Sequence, residues 1–253
     1  MNRNYSQSVA ISVVSHGHGT MVERLVTVLL NYPEVGQLIV TRNIPESLML
    51  PQDTRIRLID NSRPAGFGAN HNAAFNHCNQ PYFCSLNPDI QLENNPFPFL
   101  LAVMEEEAKA VIAAPLVRNP LGGVEDSMRT FPTIRSLLLK TLGVSDGRCR
   151  IPDDSSVFFP EWVAGMFMLF RSDAFKQLRG FDERFFLYYE DVDICVRAWN
   201  AGMKVIACPV ISVVHDARRD SHSQFRYMRW HLSSMVRYFL KHWGRLPGVP
   251  NAS

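Results

Sequence analysis

Residues 9–19 read VAISVVSHGHG, a run of β-branched and apolar residues that ends in two histidine-glycine pairs. This run predicts a buried strand over residues 9–15, followed by a loop. Apolar residues at helical spacing then predict a helix over residues 21–31, with Thr20 as its N-cap. A strand, a loop and a helix in this order are the usual first unit of a parallel α/β sheet.

The same alternation continues to about residue 117, and further elements follow a looser segment. Strands are predicted over residues 37–41, 55–59 (at or near a sheet edge), 82–86, 110–116 and 205–214. Helices are predicted after the loop at Gly66, after Tyr189 with Gly202 as C′ residue, and over residues 97–108, 134–142, 172–178 and 223–241. The fold class is therefore α/β, with a mostly parallel central sheet flanked by helices and a C-terminal helical extension.

The composition excludes several classes of protein. With 253 residues, 46% of them hydrophobic, and a formal net charge of +2, the chain is not disordered and no nucleic-acid partner is expected. Its apolar stretches, such as residues 163–170, fall short of the roughly 20 residues that a membrane-spanning helix needs. Five cysteines without CxxC spacing, and a polar start at residues 1–8, predict a cytoplasmic protein with reduced thiols.

Asn87-Pro88-Asp89 follows the strand predicted at residues 82–86. A carboxylate just past the C-terminal end of a strand lies at the sheet edge where open α/β folds bind ligands. A hard oxygen ligand at that edge could hold a divalent ion against a diphosphate. Taken alone, the tripeptide is more typical of an ordinary Asx-proline turn.

Residues 181–202 place Glu190, Asp191 and Asp193 at the start of an amphipathic helix, directly after a loop that is dense in aromatic residues. Three carboxylates beside an apolar wall indicate a pocket in which one of them acts as a base. Two alternatives are open. The acids could simply complement the helix dipole, and Asp193 and Arg197 could form a surface salt bridge.

Two further features are weaker when each is taken alone. His215 ends the last predicted strand, and a lone histidine is more often structural than a metal ligand. Gly66-Phe67-Gly68 is similar to the start of a dinucleotide-binding loop, but His71 stands where that pattern needs a third glycine. The sequence also has no P-loop, GxSxG elbow or HExxH helix, which excludes those classes of enzyme.

Taken together and in order, these segments resemble glycosyltransferase family 2, most closely its bacterial rhamnosyltransferase-like branch. The resemblance extends from Ile11 to about Trp243. The matching segments are VVSHG from Val13, GFGANHNAAF from Gly66, SLNPDI from Ser85, EWVAGMFMLFRSDAF from Glu161, GFDERFFLYYEDVDICVRAWNAG from Gly180 and PVISVVHD from Pro209. The resemblance implies a GT-A domain over residues 1–220, with a donor half at about 9–117 and an acceptor half at about 118–220. Residues 221–253 then form a basic, aromatic helix and tail.

The resemblance also implies roles for the matching residues. Asp191 would be the catalytic base, and Asp89 and His215 would bind a Mg²⁺ or Mn²⁺ ion that bridges the donor diphosphate. The acceptor would meet Trp162, Gly165 and Glu190. The donor would meet Ser15, His16, Asn43, Gly66, Phe67, Gly68, Asn72 and Asn87. The implied reaction is an inverting transfer of a hexose, with rhamnose favoured, from a dTDP- or UDP-sugar to a polysaccharide or lipid-linked oligosaccharide.

The sequence departs from the family pattern at two positions that concern the nucleotide. Arg42 stands where the second strand usually ends in an aspartate near the base or ribose, and Pro64 stands where an asparagine usually precedes the donor loop. Two other functions are alternatives. A sugar nucleotidyltransferase would need a basic phosphate loop, which residues 15–19 do not provide. The other alternative is a catalytically inactive domain that binds sugar nucleotide or serves as a scaffold.

The C-terminal segment carries an uneven share of the charge. The last acidic residue is Asp220, and five basic residues follow it, most of them interleaved with aromatic residues over 223–243. Such a helix either packs its aromatic residues on the core, or meets anionic lipid headgroups or a diphosphate-linked acceptor. The second interpretation predicts a peripheral, salt-sensitive contact with the inner face of the cell membrane.

Overall fold

Strands and helices alternate along the described residues of the computed structural model, which are 5–143, 147–216 and 224–250. The strands are β1 (Val9–Ser15), β2 (Val35–Arg42), β3 (Ile56–Asp60), β4 (Tyr82–Leu86), β5 (Ile90–Gln91), β6 (Ala110–Arg118), β7 (Met128–Arg129), β8 (Trp162–Val163), β9 (Phe167–Arg171) and β10 (Lys204–His215). The helices are α1 (Thr20–Leu29), α2 (Phe67–Phe75), α3 (Phe97–Glu106), α4 (Ile134–Thr141), α5 (Ser172–Gln177), α6 (Glu190–Asn200) and α7 (Gln224–His242).

Eight of these strands form one sheet in the order β3-β2-β1-β4-β9-β6-β10-β5. β1 pairs in parallel with β2 and β4, β2 pairs in parallel with β3, and β6 pairs in parallel with β10. β9 lies antiparallel between β4 and β6, and β5 lies antiparallel to the end of β10. The sheet is therefore mostly parallel with β3 at one edge, as predicted, whereas the antiparallel insertion of β9 was not predicted.

Helices cover both faces of this sheet because successive strand side chains point to opposite sides. Val9, Ile11 and Val13 of β1 join one core, to which α1 and α3 contribute. Ala10 joins the core on the other face, where Phe170 of β9 packs with residues of α5, α6 and α7. Because β1, β2, β4, β6 and β10 run in the same direction, their carboxyl ends lie at one edge of the sheet, where the predicted site residues lie.

The helix boundaries correct one prediction and confirm another. Thr20 is not an N-cap, because α1 begins at Thr20 and its cap residue is Gly19. The carboxylate of Glu46 instead accepts hydrogen bonds from the backbone N–H groups of Gly17 (3.1 Å) and Gly19 (3.0 Å). At the end of α6, Gly202 has a φ of 72° and follows the C-cap Ala201, so its predicted place as C′ residue is confirmed.

The C-terminal helix α7 is described from Gln224, and Ser223, its predicted first residue, lies outside the described residues. Tyr238 of α7 is only 1% exposed and belongs to the core shared with α5 and α6. One face of α7 therefore packs on the protein, as the first interpretation of this segment predicts. Within the described ranges, no helix is both long and apolar enough to cross a membrane.

Candidate active site

The sheet topology brings Asp89 and His215 together at one corner of the site. β5 follows Asp89 directly and pairs with the end of β10, so that His215 is the register partner of Ile90. As a result, Nε2 of His215 lies 3.2 Å from Oδ2 of Asp89, and both side chains are mostly buried. Two residues that the resemblance assigned to one metal ion are therefore neighbours in space.

A second carboxylate, which the sequence did not predict, holds the other side of the His215 ring. Oε2 of Glu125 lies 2.7 Å from Nδ1 of His215. Glu125 follows a tight turn in which Oδ1 of Asn119 accepts hydrogen bonds from the N–H groups of Leu121 and Gly123. Burial alone would lower the pKa of His215, but Asp89 and Glu125 outweigh it and raise the pKa to about 9.

The residues at this corner fit a divalent cation. Oδ1 of Asp89 is buried and has no hydrogen-bond partner among the described residues, so an acceptor oxygen is left for another ligand. A carboxylate oxygen and an imidazole nitrogen are suitable ligands for Mn²⁺, and Mg²⁺ also takes carboxylate oxygen. Glu125 on Nδ1 would orient the ring, as carboxylates behind metal-bound histidines commonly do. Among the described residues, no three His, Cys, Asp or Glu side chains are placed so that they could hold a metal ion together.

The second corner of the site is the start of α6. Tyr188 and Tyr189 precede the helix with φ values of 71° and 68°, a left-handed backbone that is costly for aromatic residues. This turn presents Glu190 and Asp191 at the helix N-terminus. Strain of about 1–3 kcal/mol per residue persists only where the surroundings enforce it, and it is common at functional sites.

Asp191 is held in place by two backbone amides. Its Oδ2 accepts from the N–H of Gly165 at 2.9 Å, and its Oδ1 accepts from the N–H of Val192 at 2.8 Å. A Cβ on Gly165 would lie 3.1 Å from the Phe67 ring and 3.6 Å from Cβ of Asp191, which accounts for a glycine at this position. Burial raises the pKa of Asp191, although the two amides partly oppose the rise.

Glu190 is more deeply buried than Asp191. It is 4% exposed, and its Oε2 has no hydrogen-bond partner among the described residues. Burial, together with the nearby charge of Asp191, raises the pKa of Glu190 well above its ordinary range. The two adjacent acids are therefore unlike: Asp191 has amide donors that favour its ionised form, while Glu190 is favoured as the neutral acid.

A cavity of about 260 Å³ opens beside these two acids. Its wall includes Trp162, whose indole N–H donates to the carbonyl of Thr130 at 2.9 Å. It also includes Tyr188 and Tyr189, and His231 from α7, whose ring lies 5.4 Å and 5.5 Å from those two rings. The predicted acceptor residues Trp162 and Glu190 thus meet Asp191 at one cavity. The local sequence around His231 does not predict its position in the cavity wall.

Asp193, two residues after Asp191, does not face this cavity. It is fully buried and binds Arg197 of its own helix together with Lys241 and His242 of α7, at 2.7, 2.6 and 2.7 Å. Burial alone would raise the pKa of Asp193, but the three partners outweigh it and lower the pKa. The predicted pairing of Asp193 with Arg197 is confirmed, but it is not a surface salt bridge, because the side chain of Asp193 is fully buried and also binds two residues of α7.

The predicted donor residues of β1 and β2 form a polar network at the carboxyl ends of these strands. Ser15 is fully buried, and its Oγ accepts from the N–H of His18. Nδ2 of Asn43 lies 3.2 Å from Nδ1 of His16 and donates to the carbonyl of Ala65. Arg42, at the position where an aspartate is usual, forms an ion pair with Asp60 of the neighbouring strand β3.

The remaining donor residues, at the start of α2, contact the loop before α6. A Cβ on Gly66 would lie 2.5 Å from the carbonyl oxygen of Phe186, and one on Gly68 would lie 2.7 Å from Cβ of Phe181. The N–H of Phe67 donates to that same Phe186 carbonyl at 2.9 Å. Asn72 donates from its side chain to the carbonyl of Phe181 and accepts from its N–H, at 2.8 and 2.9 Å. The start of α2 therefore supports the loop that carries Glu190 and Asp191.

Asn87 lies between the two corners of the site. Its N–H donates to the carbonyl of Met166 at 2.9 Å, and its own carbonyl accepts from the N–H of Ile90. The first bond links the end of β4 to the segment before β9, and the second closes the turn that holds Asp89. Asn87 thereby fixes the backbone of the predicted metal ligand.

Comparisons with known proteins identify the family to which the chain belongs. The family described as "Glycosyl transferase family 2" matches residues 40–179, more than half of the chain. The chain is 31% identical over 249 residues to the protein named "Rhamnosyltransferase WbbL" from Escherichia coli (strain K12), covering 92% of this chain and 93% of that protein. It is 33% identical over 159 residues to an "N-acetylglucosaminyl-diphospho-decaprenol L-rhamnosyltransferase" from Mycobacterium tuberculosis (strain ATCC 25618 / H37Rv), covering 58% of this chain and 50% of that protein.

The fold is shared with solved structures of the same enzyme class. The structure described as GalNAc-T7 with UDP, GalNAc and Mn²⁺ matches with a TM-score of 0.66 at 12% identity, over 85% of this chain and 44% of that chain. This match confirms the GT-A fold that the resemblance implied. The family match and the rhamnosyltransferase relative show that the chain is a nucleotide-sugar glycosyltransferase and belongs to glycosyltransferase family 2.

Proposed function

We propose that this protein is an inverting, metal-dependent hexosyltransferase, with rhamnose as the favoured sugar. The observation that carries the proposal is the position of Asp191, which is held by two amides beside an aromatic-walled cavity. Rhamnose is favoured because the relative that covers 92% of this chain is named a rhamnosyltransferase.

In this proposal Asp191 removes the proton from the acceptor hydroxyl as that oxygen attacks the anomeric carbon of the donor sugar. The bond from the anomeric carbon to the diphosphate breaks, and the diphosphate leaves with the electron pair. A carboxylate with a raised pKa is a stronger base than an ordinary one, which suits it to this step. Glu190, favoured as the neutral acid, can donate a hydrogen bond that orients the acceptor.

Asp89 and His215 would hold a Mg²⁺ or Mn²⁺ ion, with Glu125 fixing the His215 ring. Such an ion neutralises charge on a leaving diphosphate. The donor is proposed to be a dTDP- or UDP-sugar, placed by Ser15, His16, Asn43, Asn87 and the segment from Gly66 to Asn72. The structure of GalNAc-T7, which shares the fold, contains UDP and Mn²⁺.

The acceptor is proposed to be a polysaccharide or a lipid-linked oligosaccharide. The aromatic wall of the cavity suits a sugar ring, since the faces of Trp162, Tyr188 and Tyr189 offer apolar surface beside polar groups. One relative is named for an acceptor in which a sugar is joined through a diphosphate to decaprenol. A lipid carrier would place the enzyme in the cytoplasm at the inner face of the cell membrane.

A donor screen tests this proposal. Nucleotide release is measured with a panel of dTDP-, UDP- and GDP-sugars, with Mn²⁺ and with EDTA. We expect nucleotide release from one donor, and we expect EDTA to abolish it. The His215→Ala variant should have weaker donor affinity and weaker metal dependence. His77→Ala, which removes an exposed histidine that contacts Arg57, is the matched control and should behave like the wild type. If no nucleotide sugar is bound or turned over with Mn²⁺ present, the proposed function is wrong.

A further inference from the structure

The two faces of α7 have different surroundings. The inner face is tied to the acceptor side of the protein. Oγ of Ser234 donates to the carbonyl of Leu187 at 2.9 Å, Tyr238 is buried, and Lys241 and His242 bind Asp193. These contacts fix the orientation of the helix, so the direction of its outer face is also fixed.

The outer face of α7 is a continuous apolar row. Its members are five residues of α7 and Trp243, which directly follows the helix, and they are between 47% and 80% exposed: Phe225, Met228, Leu232, Val236, Leu240 and Trp243. Their spacing of three or four residues keeps them on one side along five turns of helix, since an α-helix has 3.6 residues per turn. Single exposed apolar residues are ordinary, but a contiguous row of this length is typical of an interaction surface.

The charge beside this row identifies the kind of partner. Residues 221–253 contain five arginines and lysines and no aspartate or glutamate. Arg226 and Arg229 are exposed next to the first turns of the row. An apolar face flanked by arginines, without acidic residues, is complementary to anionic headgroups above a hydrocarbon layer. The same helix of a second copy would offer these arginines no carboxylate.

The same helix forms part of the acceptor cavity. His231 lines the cavity beside Glu190 and Asp191, and its ring contacts Tyr188 and Tyr189. A surface on which the outer face of α7 rested would therefore lie about one helix diameter from the cavity, roughly 10 Å. This distance suits an acceptor whose sugar enters the cavity while its carrier stays in the lipid.

We propose that α7 lies in the plane of an anionic phospholipid surface, with its apolar row inserted, and so holds the acceptor cavity at headgroup level. Only the use that we assign to this membrane contact, access to a lipid-linked acceptor, rests on the proposed function. The binding of lipid itself follows from the apolar row and its charge, and it can be measured without any sugar donor.

Vesicle flotation of the full chain tests the proposal. We expect flotation with mixed phosphatidylcholine and phosphatidylglycerol vesicles at low salt, less at high salt, and little with phosphatidylcholine alone. The triple variant Leu232→Ser/Val236→Ser/Leu240→Ser should bind these vesicles at least about tenfold more weakly. The control Met49→Ser/Leu121→Ser/Val210→Ser removes three exposed apolar residues elsewhere and should bind like the wild type.

Each outcome has one meaning. Absence of flotation at every salt concentration, or a triple variant that floats like the wild type, overturns the proposal. A dimer that the triple variant abolishes, with no flotation, assigns the row to a second copy and also overturns it. Circular dichroism of the triple variant checks that it is folded. Flotation without any donor turnover would leave the lipid surface supported and the proposed function wrong.

Discussion

Asp191 and Asp193 lie two residues apart on the same helix, yet they are opposite in environment. Asp191 faces a cavity and is held by backbone amides alone, and burial raises its pKa. Asp193 faces α7, where Lys241 and His242 of α7 and Arg197 of its own helix surround it and lower its pKa. Because successive residues of a helix are 100° apart, two positions are enough to turn one aspartate toward the cavity and the other into the core.

The difference shows how one helix can serve reaction and stability together. A carboxylate without a cationic partner retains affinity for a proton, which is what a general base needs. A carboxylate that binds Lys241 and His242 instead fixes α7 against the catalytic helix. We therefore expect substitutions at the two positions to fail in different ways.

The largest effect is expected for Asp191→Asn. Asparagine keeps the size and one acceptor oxygen but cannot take up a proton, so transfer should fall by about 10²–10⁴-fold. Affinity for the donor, measured by calorimetry with a nucleotide sugar, should stay close to that of the wild type. Glu190→Gln is the matched comparison and should lose far less activity, because Gln resembles the neutral acid that burial favours. Full transfer activity in Asp191→Asn would refute the assignment of the base.

The next effect is expected for Asp193→Ala, and it concerns stability. The substitution leaves Arg197, Lys241 and His242 without their shared anion, and breaking a buried ion pair in this way costs about 3–5 kcal/mol. Urea unfolding of both proteins measures the difference. Asp153→Ala is the control, since Asp153 also has an arginine partner, Arg150. Both of these side chains are exposed, so the pair should contribute less than about 1 kcal/mol to the free energy of unfolding. Equal losses of unfolding free energy in the two variants would contradict the distinction between the buried and the exposed ion pair.

At His215 we also propose two carboxylates with different roles: Asp89 would bind the metal, and Glu125 would orient the ring. Glu125→Leu should weaken Mn²⁺ binding by about 10–100-fold, measured by the Mn²⁺ EPR signal with a nucleoside diphosphate present. Glu125→Gln keeps an acceptor oxygen for the ring N–H and should lose less. Glu106→Gln, on the exposed side of α3, is the control. If Glu125→Leu, shown to be folded by circular dichroism, binds Mn²⁺ like the wild type, the orienting role is wrong.

Local signals were sufficient to predict much of this arrangement. The β-branched run at residues 9–15 is β1, and the apolar stripe after Tyr189 is α6. Asn87-Pro88-Asp89 does follow a strand, and the proline turn does leave a carboxylate just past the carboxyl end of β4. In each case the information lies within a few residues, because strand and helix periodicity is a short-range property.

The parts that were missed depend on distant segments. Glu125 meets His215 from 90 residues away in the sequence, and His242 meets Asp193 from 49 residues away. An aspartate four residues before an arginine is the usual pattern of an exposed helix pair, so only the packing of α7 could show that Asp193 is buried. The antiparallel direction of β9 could not be predicted from the local sequence either, since an apolar run does not show whether its strand is parallel or antiparallel to its neighbours.

The smallest effect concerns stability against pH, and it has opposite signs at the two aspartates. The folded protein raises the pKa of Asp191, so this group contributes stability at acid pH and loses it as pH rises through its folded pKa. Asp191→Asn, which is always neutral, should therefore be more stable than the wild type at about pH 7, by about 0.5–2 kcal/mol, and equal to it near pH 4. The pKa of Asp193 is lowered, so its contribution is present above about pH 4 and is lost in stronger acid. Urea unfolding at several pH values separates the two, and a neutral-pH loss of stability in Asp191→Asn would mean that its amide bonds outweigh burial.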